Sequence, residues 1–213
     1  MDPTTGFVNL LDTRYENMAK AKAFFGKFKS IRYNAPKEWF EFAFDYNDFT
    51  TKAVDTKTQW TLCTYGTRIE TRRDSEQNNM FTSVELDLTA RFKDLFAQYG
   101  IDVTGNLLDQ ICSQSDASFY KELLHLLHLT LQMRNSVTGT EVDYMISPVM
   151  NATGEFYDSR KCGKNLPENA DANGAYNIAR KGLWIVEQIK RADDLSKLKL
   201  AISNKEWLQF AQS

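Results

Sequence analysis

Residues 115–133 read SDASFYKELLHLLHLTLQM and carry the strongest structural signal in the chain. Their apolar side chains recur at helical spacing and cover most of the circumference, which predicts a helix that is buried on nearly all sides. Ser115 or Asp116 is the expected N-cap, because a side-chain oxygen at that position accepts a hydrogen bond from a free amide of the first turn. We therefore expect this helix to form the centre of the core.

The sequence before this helix alternates with a period of two. From Phe40 to Tyr46 every second residue is aromatic, as is typical of a strand with one buried face. Strands are predicted at residues 28–33, 39–46, 59–65, 67–72, 84–88, 144–149 and 154–157. The last two are expected to form a hairpin, and the polar run 74–79 is expected to be a surface loop.

Other parts of the chain show the period of a helix. Helices are predicted at residues 12–25, 89–99, 106–114 and 173–191. Thr89 is the expected cap of the second of these. The last helix is expected to bury one face, formed by Ala175, Ile178, Ala179, Val186 and Ile189. Because runs of strands come before runs of helices, the predicted fold class is α+β.

Composition excludes several classes of protein. The chain has 213 residues, and 26 basic against 28 acidic side chains give a net charge of −2, so any surface for nucleic acid must be local. Three widely spaced cysteines disfavour both a disulfide framework and a zinc site, and favour reduced thiols in a cytoplasm. The apolar run 123–133 is too short to span a membrane, and no signal peptide is recognisable at Met1.

Residues 169–179, NADANGAYNIA, place one carboxylate, Asp171, at the start of the last predicted helix. The small residues around it would let a phosphate and a metal ion approach the backbone. The simpler interpretation is an N-cap, which stabilises a helix by about 1 kcal/mol. A glycine in the first turn, Gly174, costs up to ~1 kcal/mol relative to alanine, and this favours a functional reason for the segment.

A basic segment without acidic residues runs from Lys20 to Lys37. Its cations are Lys20, Lys22, Lys27, Lys29, Arg32 and Lys37, and Phe24, Phe25, Phe28 and Tyr33 lie between them. Cations neutralise phosphates and exposed aromatic rings stack on unpaired bases, so the segment suits single-stranded DNA. The alternative is a solvated helix face over core aromatics. His125, His128 and Cys63 are interpreted as structural residues.

Seven short motifs extend over the whole chain. They are DPTTGFV (2–8), YGTRI (65–69), LQMRNS (131–136), ISPV (146–149), FYDSR (156–160), the segment around Asp171, and AISNKEWL (201–208). In this order they resemble the C-terminal part of the type V-A CRISPR effectors, the Cas-twelve-a or Cpf-one family. The family's mid-chain DPTTG motif directly follows Met1, so we expect the chain to be an engineered fragment.

The resemblance implies two parts. Residues 1–167 would form the Nuc domain, and residues 168–213 the last segment of a split RuvC nuclease domain, which has the RNase H fold. Asp171 would be the third carboxylate of a Mg²⁺ site, completed by an Asp and a Glu on segments absent from this chain. Two-metal cleavage of a phosphodiester requires several carboxylates, so we expect the isolated chain to be inactive or very weak.

The resemblance also assigns roles near that carboxylate. Arg134 would face the RuvC site and assist cleavage of the target strand, gripping phosphate with its guanidinium. From the residues alone, the favoured interpretation of Arg134 is a cation that complements the dipole at a helix C-terminus. Glu141 and Asp143 match acidic positions near this arginine, the alternative being solvated charges at a strand edge. Asp158 is a weaker candidate.

These observations predict part of an RNA-guided DNA endonuclease. The chain would present single-stranded and duplex target DNA to the RuvC site, while the guide RNA binds the remainder of the effector and reads the sequence. Its other partner would be the missing N-terminal part of the same protein, in a bacterial cytoplasm. The alternative is a non-catalytic module that positions DNA or contacts the effector. A transposon-type nuclease remnant is disfavoured by the Nuc motifs.

Overall fold

The structure is a computed structural model that describes residues 1–50, 59–74, 80–137, 139–198 and 200–212. The helices are α1 (Met18–Phe25), α2 (Tyr46–Phe49), α3 (Leu88–Gln98), α4 (Leu107–Ser113), α5 (Ala117–Leu131), α6 (Ala170–Arg191) and α7 (Asn204–Gln212). The strands are β1 (Ser30–Asn34), β2 (Trp39–Asp45), β3 (Gln59–Cys63), β4 (Thr67–Asp74), β5 (Met80–Asp87), β6 (Arg134–Ser136), β7 (Asp143–Met150) and β8 (Phe156–Asp158). The α+β class is confirmed. Across these residues, no helix has the length and apolar character to cross a bilayer.

Helix α5 lies at the centre of the core, as its apolar pattern predicts. Asp116 is its N-cap, and the carboxylate accepts hydrogen bonds from the amides of Ser118 and Phe119 at 2.6 and 3.3 Å. The two histidines lie at its boundary: His125 Nε2 is 2.8 Å from Glu70 Oε1, and His128 Nδ1 contacts a threonine hydroxyl at 3.2 Å. Both therefore have protein partners, and their structural interpretation is confirmed.

An antiparallel sheet, β1-β2-β3, packs against this core through one aromatic face. Phe40, Phe42 and Phe44 are fully buried, and the rings of Phe40 and Phe42 contact Phe92 of α3. Cys63, at the end of β3, is also buried, and burial raises the pKa of its thiol to about 12. The alternation in the sequence therefore identifies the buried face, and Cys63 is a core residue.

Two smaller antiparallel sheets complete the strands, β4-β5 and β6-β7-β8. The hairpin of β7 and β8 is confirmed. Gly66, just before β4, has a φ of +73°, a backbone conformation that favours glycine, and a Cβ there would contact Ile146 Cδ1. Glycine therefore lets the start of β4 lie close to Ile146 of β7. The loop predicted at 74–79 lies almost entirely outside the described residues.

Two helix starts differ from the sequence prediction. Helix α1 begins at Met18 rather than at Asp12, because Asn17 caps it by accepting from the Lys20 amide at 2.9 Å. The Asp12 carboxylate is bound instead by Arg14. Helix α3 is capped by Asp87, because Thr89 donates its hydroxyl to the Thr64 carbonyl at 3.0 Å.

Helix α6 differs more. Its N-cap is Asn169, whose side chain accepts from the Ala172 amide at 2.8 Å, so the helix begins earlier than predicted. The prediction of its inward face is wrong, because Ile178 is 74% exposed and Val186 and Ile189 are also exposed. The helix buries another face, formed by Asn173, Asn177 and Trp184.

The polar side of α6 holds it against the beginning of the chain. Arg180 donates to the Pro3 carbonyl through Nη1 and to the Phe210 carbonyl through Nη2, both at 2.9 Å. Asn173 Nδ2 donates to the Met1 carbonyl at 3.1 Å. These bonds dock α6 on the N-terminal segment, so the boundary predicted at residue 167 stays a prediction.

Candidate functional site

The candidate site is built around Arg134, the first residue of β6. It follows directly on the C-terminal turn of α5, and β6 pairs with β7 so that Arg134 lies opposite Met145. Asp143 is the first residue of β7, and its Oδ1 lies 3.4 Å from Arg134 Nε. Register in this small sheet therefore brings the arginine and the first carboxylate together.

The second carboxylate comes from α6. Asp171 Oδ1 lies 3.8 Å from Arg134 Nη1, and its side chain is 89% exposed. Neither contact of Arg134 is a short hydrogen bond, and its side chain is 56% exposed, so the guanidinium donors remain available to a ligand. The structure thus brings together three of the predicted site residues, Arg134, Asp143 and Asp171.

Glu141 and Asp158 make no ion pair with Arg134 among the described residues. Glu141 is exposed in the turn before β7, and the part of the chain that the structure describes contains no ion pair between it and Arg134. Asp158 is buried and accepts two hydrogen bonds from Arg160, at 2.9 Å each. Burial opposes ionisation of Asp158, but the bonds and the charge of Arg160 outweigh it and lower the pKa. Asp158 is therefore a structural ion-pair partner.

A buried amide network fixes the backbone that carries Arg134. Asn135 is fully buried; its Oδ1 accepts from the Ile69 amide at 2.8 Å and its Nδ2 donates to the Met133 carbonyl at 3.2 Å. Gln132 Nε2 donates to the Ile69 carbonyl at 2.9 Å. The residues on both sides of the arginine are thereby tied to β4, which limits where the guanidinium can lie.

Arg68 adds a buried cation to the same region. Its guanidinium donates to the carbonyls of Tyr65, Thr67 and Thr130 at 3.0–3.3 Å. Burial lowers the pKa of Arg68 to about 10, so the group is still charged at neutral pH. Since Thr130 lies in the last turn of α5, this contact also steadies the segment before Arg134.

We expect Asn135→Ala to destabilise the protein by about 1–3 kcal/mol, because the buried Ile69 amide would lose its acceptor. Urea unfolding followed by circular dichroism measures the change. The matched control is Asn165→Ala in an exposed loop, for which we expect a change within about 0.5 kcal/mol. Equal unfolding midpoints for the two variants would show that the amide network does not hold this segment.

The described residues do not by themselves form a complete magnesium site. Among the residues that the structure describes, no group of three acidic, histidine or cysteine side chains is placed to hold a metal ion. Asp171 offers one hard oxygen donor in an exposed position, whereas a two-metal site requires several. Further carboxylates would have to come from outside this group.

The basic segment has less aromatic surface than predicted. Phe25 and Phe28 are buried in the core, so for these two rings the alternative of core aromatics is correct. Lys20 pairs with Glu16, and Lys29 Nζ lies 3.7 Å from Asp45 Oδ2. The ammonium groups still face solvent, so contact of Lys20, Lys22, Lys27 and Lys29 with DNA stays a prediction.

A family model described as a nuclease domain, NUC, matches residues 1–161. The chain belongs to this family. It is the Nuc domain of Cas-twelve-a-type effectors, so the resemblance seen in the sequence is confirmed. Membership indicates a nuclease role for this Nuc domain. Arg134 and Asp143 lie inside the matched residues, whereas Asp171 and the rest of α6 lie outside them.

The residues that position the arginine were not identified from the sequence. Gln132 and Asn135 flank Arg134 in the LQMRNS motif, and Arg68 lies in the YGTRI motif, but neither motif shows that the two meet. The contacts are hydrogen bonds between side chains and backbone that form where β4 packs beside the segment after α5. Their presence in the two quoted motifs was the available signal.

Proposed function

We propose that this chain acts as part of an RNA-guided DNA endonuclease. In this proposal Arg134 holds a phosphate of the DNA strand, while Asp171 supplies one carboxylate of a Mg²⁺-dependent RuvC-type cleavage site. The observation that carries the proposal is the convergence of Arg134, Asp143 and Asp171, which lie on three separate elements.

The geometry suits a phosphodiester. A guanidinium can donate two parallel hydrogen bonds to phosphate oxygens, and Arg134 is exposed beside the carboxylate that would hold the metal. The Asp171 carboxylate does not cap α6, because Asn169 is the N-cap of this helix. The interpretation of Asp171 as a simple N-cap is therefore wrong, which strengthens its proposed role as a ligand.

The exposed face of α6 supports the idea that further segments complete the site. Asp171, Ala175, Ile178, Val186 and Ile189 recur at helical spacing and share one side of the helix. A segment that covers this apolar stripe would therefore lie next to Asp171. We propose that it is the remainder of the RuvC domain, which would bring the missing Asp and Glu to the metal.

The proposal also includes the other predicted partners, which are target DNA, guide RNA and Mg²⁺. Lys20, Lys22, Lys27 and Lys29 would contact the phosphates of single-stranded or duplex target DNA, and Glu141 and Asp143 would adjust the charge around Arg134. The guide RNA would be bound by the rest of the effector, in a bacterial cytoplasm. Mg²⁺ would supply the Lewis acid that activates water and stabilises the leaving oxygen.

The second candidate is a non-catalytic module that positions DNA or contacts the effector. The lack of a three-ligand group among the described residues favours this function for the chain in isolation. The two candidates differ in what happens when the missing carboxylates are supplied.

Complementation in trans tests the proposal. We expect that neither this chain nor its N-terminal complement with guide RNA cleaves labelled single-stranded DNA. Together they should cleave it in Mg²⁺, and EDTA should stop the reaction. Gel filtration shows in parallel whether the two parts assemble. Assembly without cleavage would reject the catalytic proposal and support the non-catalytic module.

A further inference from the structure

A cavity of about 580 Å³ opens beside β8, away from the contacts of Arg134. Three part-exposed aromatic rings line it. Tyr65 and Phe156 are stacked with their centroids 4.1 Å apart and their planes at 6°. Trp39 stands perpendicular to both, at 6.0 Å from Tyr65 and 5.2 Å from Phe156. Together they form two flat apolar walls at a right angle.

Lys161 lines this cavity, and Lys37 contacts one of the aromatic rings that line it. Lys161 Nζ is 5.8 Å from the centroid of Tyr65, and its side chain is 70% exposed. Lys37 Nζ is 5.3 Å from the centroid of Trp39. Of the acidic residues in the wall, Asp158 pairs with Arg160 at 2.9 Å and more loosely with Lys161 at 3.8 Å, while Glu155 is exposed at the rim. The cavity therefore combines flat apolar walls with an exposed lysine.

From this combination we infer that the cavity binds an unpaired base of a DNA strand. The base stacks on Trp39, because Tyr65 is already stacked on Phe156, and Lys161 contacts the adjoining phosphate. Stacking on an aromatic ring suits any base, because every base has a π-face, and lysine follows the backbone. The inference rests on the proposed function, to which it adds a second contact with the same strand.

The cavity and Arg134 share the sheet β6-β7-β8. Arg134 pairs with Met145 of β7, and Phe156 of β8 pairs with Met150. Five residues along β7 and two strand spacings across the sheet place Phe156 about 20 Å from Arg134. A base held in the cavity would thus anchor the strand a few nucleotides from the proposed cleavage point.

The test compares strands of equal charge with and without bases. Fluorescence anisotropy measures binding of the full 213-residue chain to an oligodeoxyuridylate and to an abasic strand of the same length. We expect the strand with bases to bind about 5- to 100-fold more tightly, the range that corresponds to stacking of one base. Trp39→Leu should remove this preference, and Lys161→Gln should weaken binding of both strands.

Tyr15→Leu is the matched control. Lys121 Nζ lies 5.3 Å from the centroid of Tyr15, so this pair has the same chemistry outside the cavity, and the variant should keep the preference. Circular dichroism checks that each variant is folded. Equal binding of the two strands by the unsubstituted chain would overturn the inference, as would a preference that survives in folded Trp39→Leu. If oligouridylate binds more tightly than its deoxy counterpart, the assignment to DNA is wrong.

The binding test needs neither Mg²⁺ nor the complementary segments, so it can be separated from the cleavage test. Base-dependent binding without cleavage in the complemented system would reject the proposed function and retain the cavity. Cleavage without base-dependent binding would reject the cavity and retain the proposed function.

Discussion

Asp171→Asn should reduce Mg²⁺-dependent cleavage by the complemented nuclease about 10³-fold or more. The amide keeps the size of the side chain but removes the negative charge, and a metal ion contributes several kcal/mol to transition-state stabilisation. Because Asp171 is 89% exposed and Asn169 is the cap, the fold should hardly change. Single-turnover cleavage of labelled single-stranded DNA measures the rate, and thermal unfolding checks the fold.

The control for this variant is Asp109→Asn. Asp109 occupies the first turn of α4 as Asp171 occupies the first turn of α6, so both substitutions remove a charge that favours a helix N-terminus. We expect Asp109→Asn to leave the cleavage rate within about twofold. Retained cleavage in Asp171→Asn would show that this carboxylate is not a metal ligand.

Ile178→Glu should prevent assembly with the complementary segments while leaving this chain folded. The side chain is 74% exposed here, so glutamate costs little in the isolated chain. On the proposed docking face it would have to be buried as an unpaired charge, and a cost of about 3 kcal/mol corresponds to roughly 100-fold weaker assembly. Gel filtration and titration of the cleavage rate with the complement both measure this loss.

Glu187→Lys provides the comparison. Glu187 is exposed on the opposite side of α6, where it pairs with Arg191 at 3.5 Å. The substitution also changes a surface charge on this helix, but away from the apolar stripe, so assembly should be unchanged. Equal weakening by both variants, or by neither, would contradict a docking role for the Ile178 face.

The parts of the fold that the sequence predicts well are those in which local pattern and burial agree. Helix α5 is apolar around most of its circumference, and β2 has an aromatic side chain at every second position from Phe40 to Phe44. The first pattern is compatible only with a buried helix and the second with a strand whose aromatic face is buried. The starts of α1 and α3 were not predictable in the same way. Asp12 and Asn17, or Asp87 and Thr89, are all competent caps. Asp12 is engaged by the neighbouring Arg14, and Thr89 by the distant Thr64, which leaves Asn17 and Asp87 as the caps.

For α6 the periodicity identifies an apolar face but not what covers it. Ile178 and Val186 fit a buried stripe in the sequence, yet the described chain covers the side with Asn173 and Trp184. Pattern alone cannot distinguish a core face from a face that another segment would cover. This is the physical reason for the wrong prediction.

The candidate site was predictable in its members but not in its support. Resemblance to the family identified Arg134 and Asp171, and the structure places them 3.8 Å apart. Asn135 and Arg68 hold the arginine through bonds to residues more than sixty positions away in sequence. Such contacts depend on tertiary packing between distant segments, which a single sequence does not encode as a local pattern.

The guanidinium of Arg180 has a consequence for cooperativity. The guanidinium donates to the carbonyls of Pro3 and Phe210 at the same time. If the segment at either carbonyl unfolds, Arg180 loses one of its two partners and holds the other segment less firmly. The first turn of the chain, α6 and α7 are thereby expected to open together as one unit of local unfolding rather than separately. Asp171 would then keep its position only while both hydrogen bonds of Arg180 are formed.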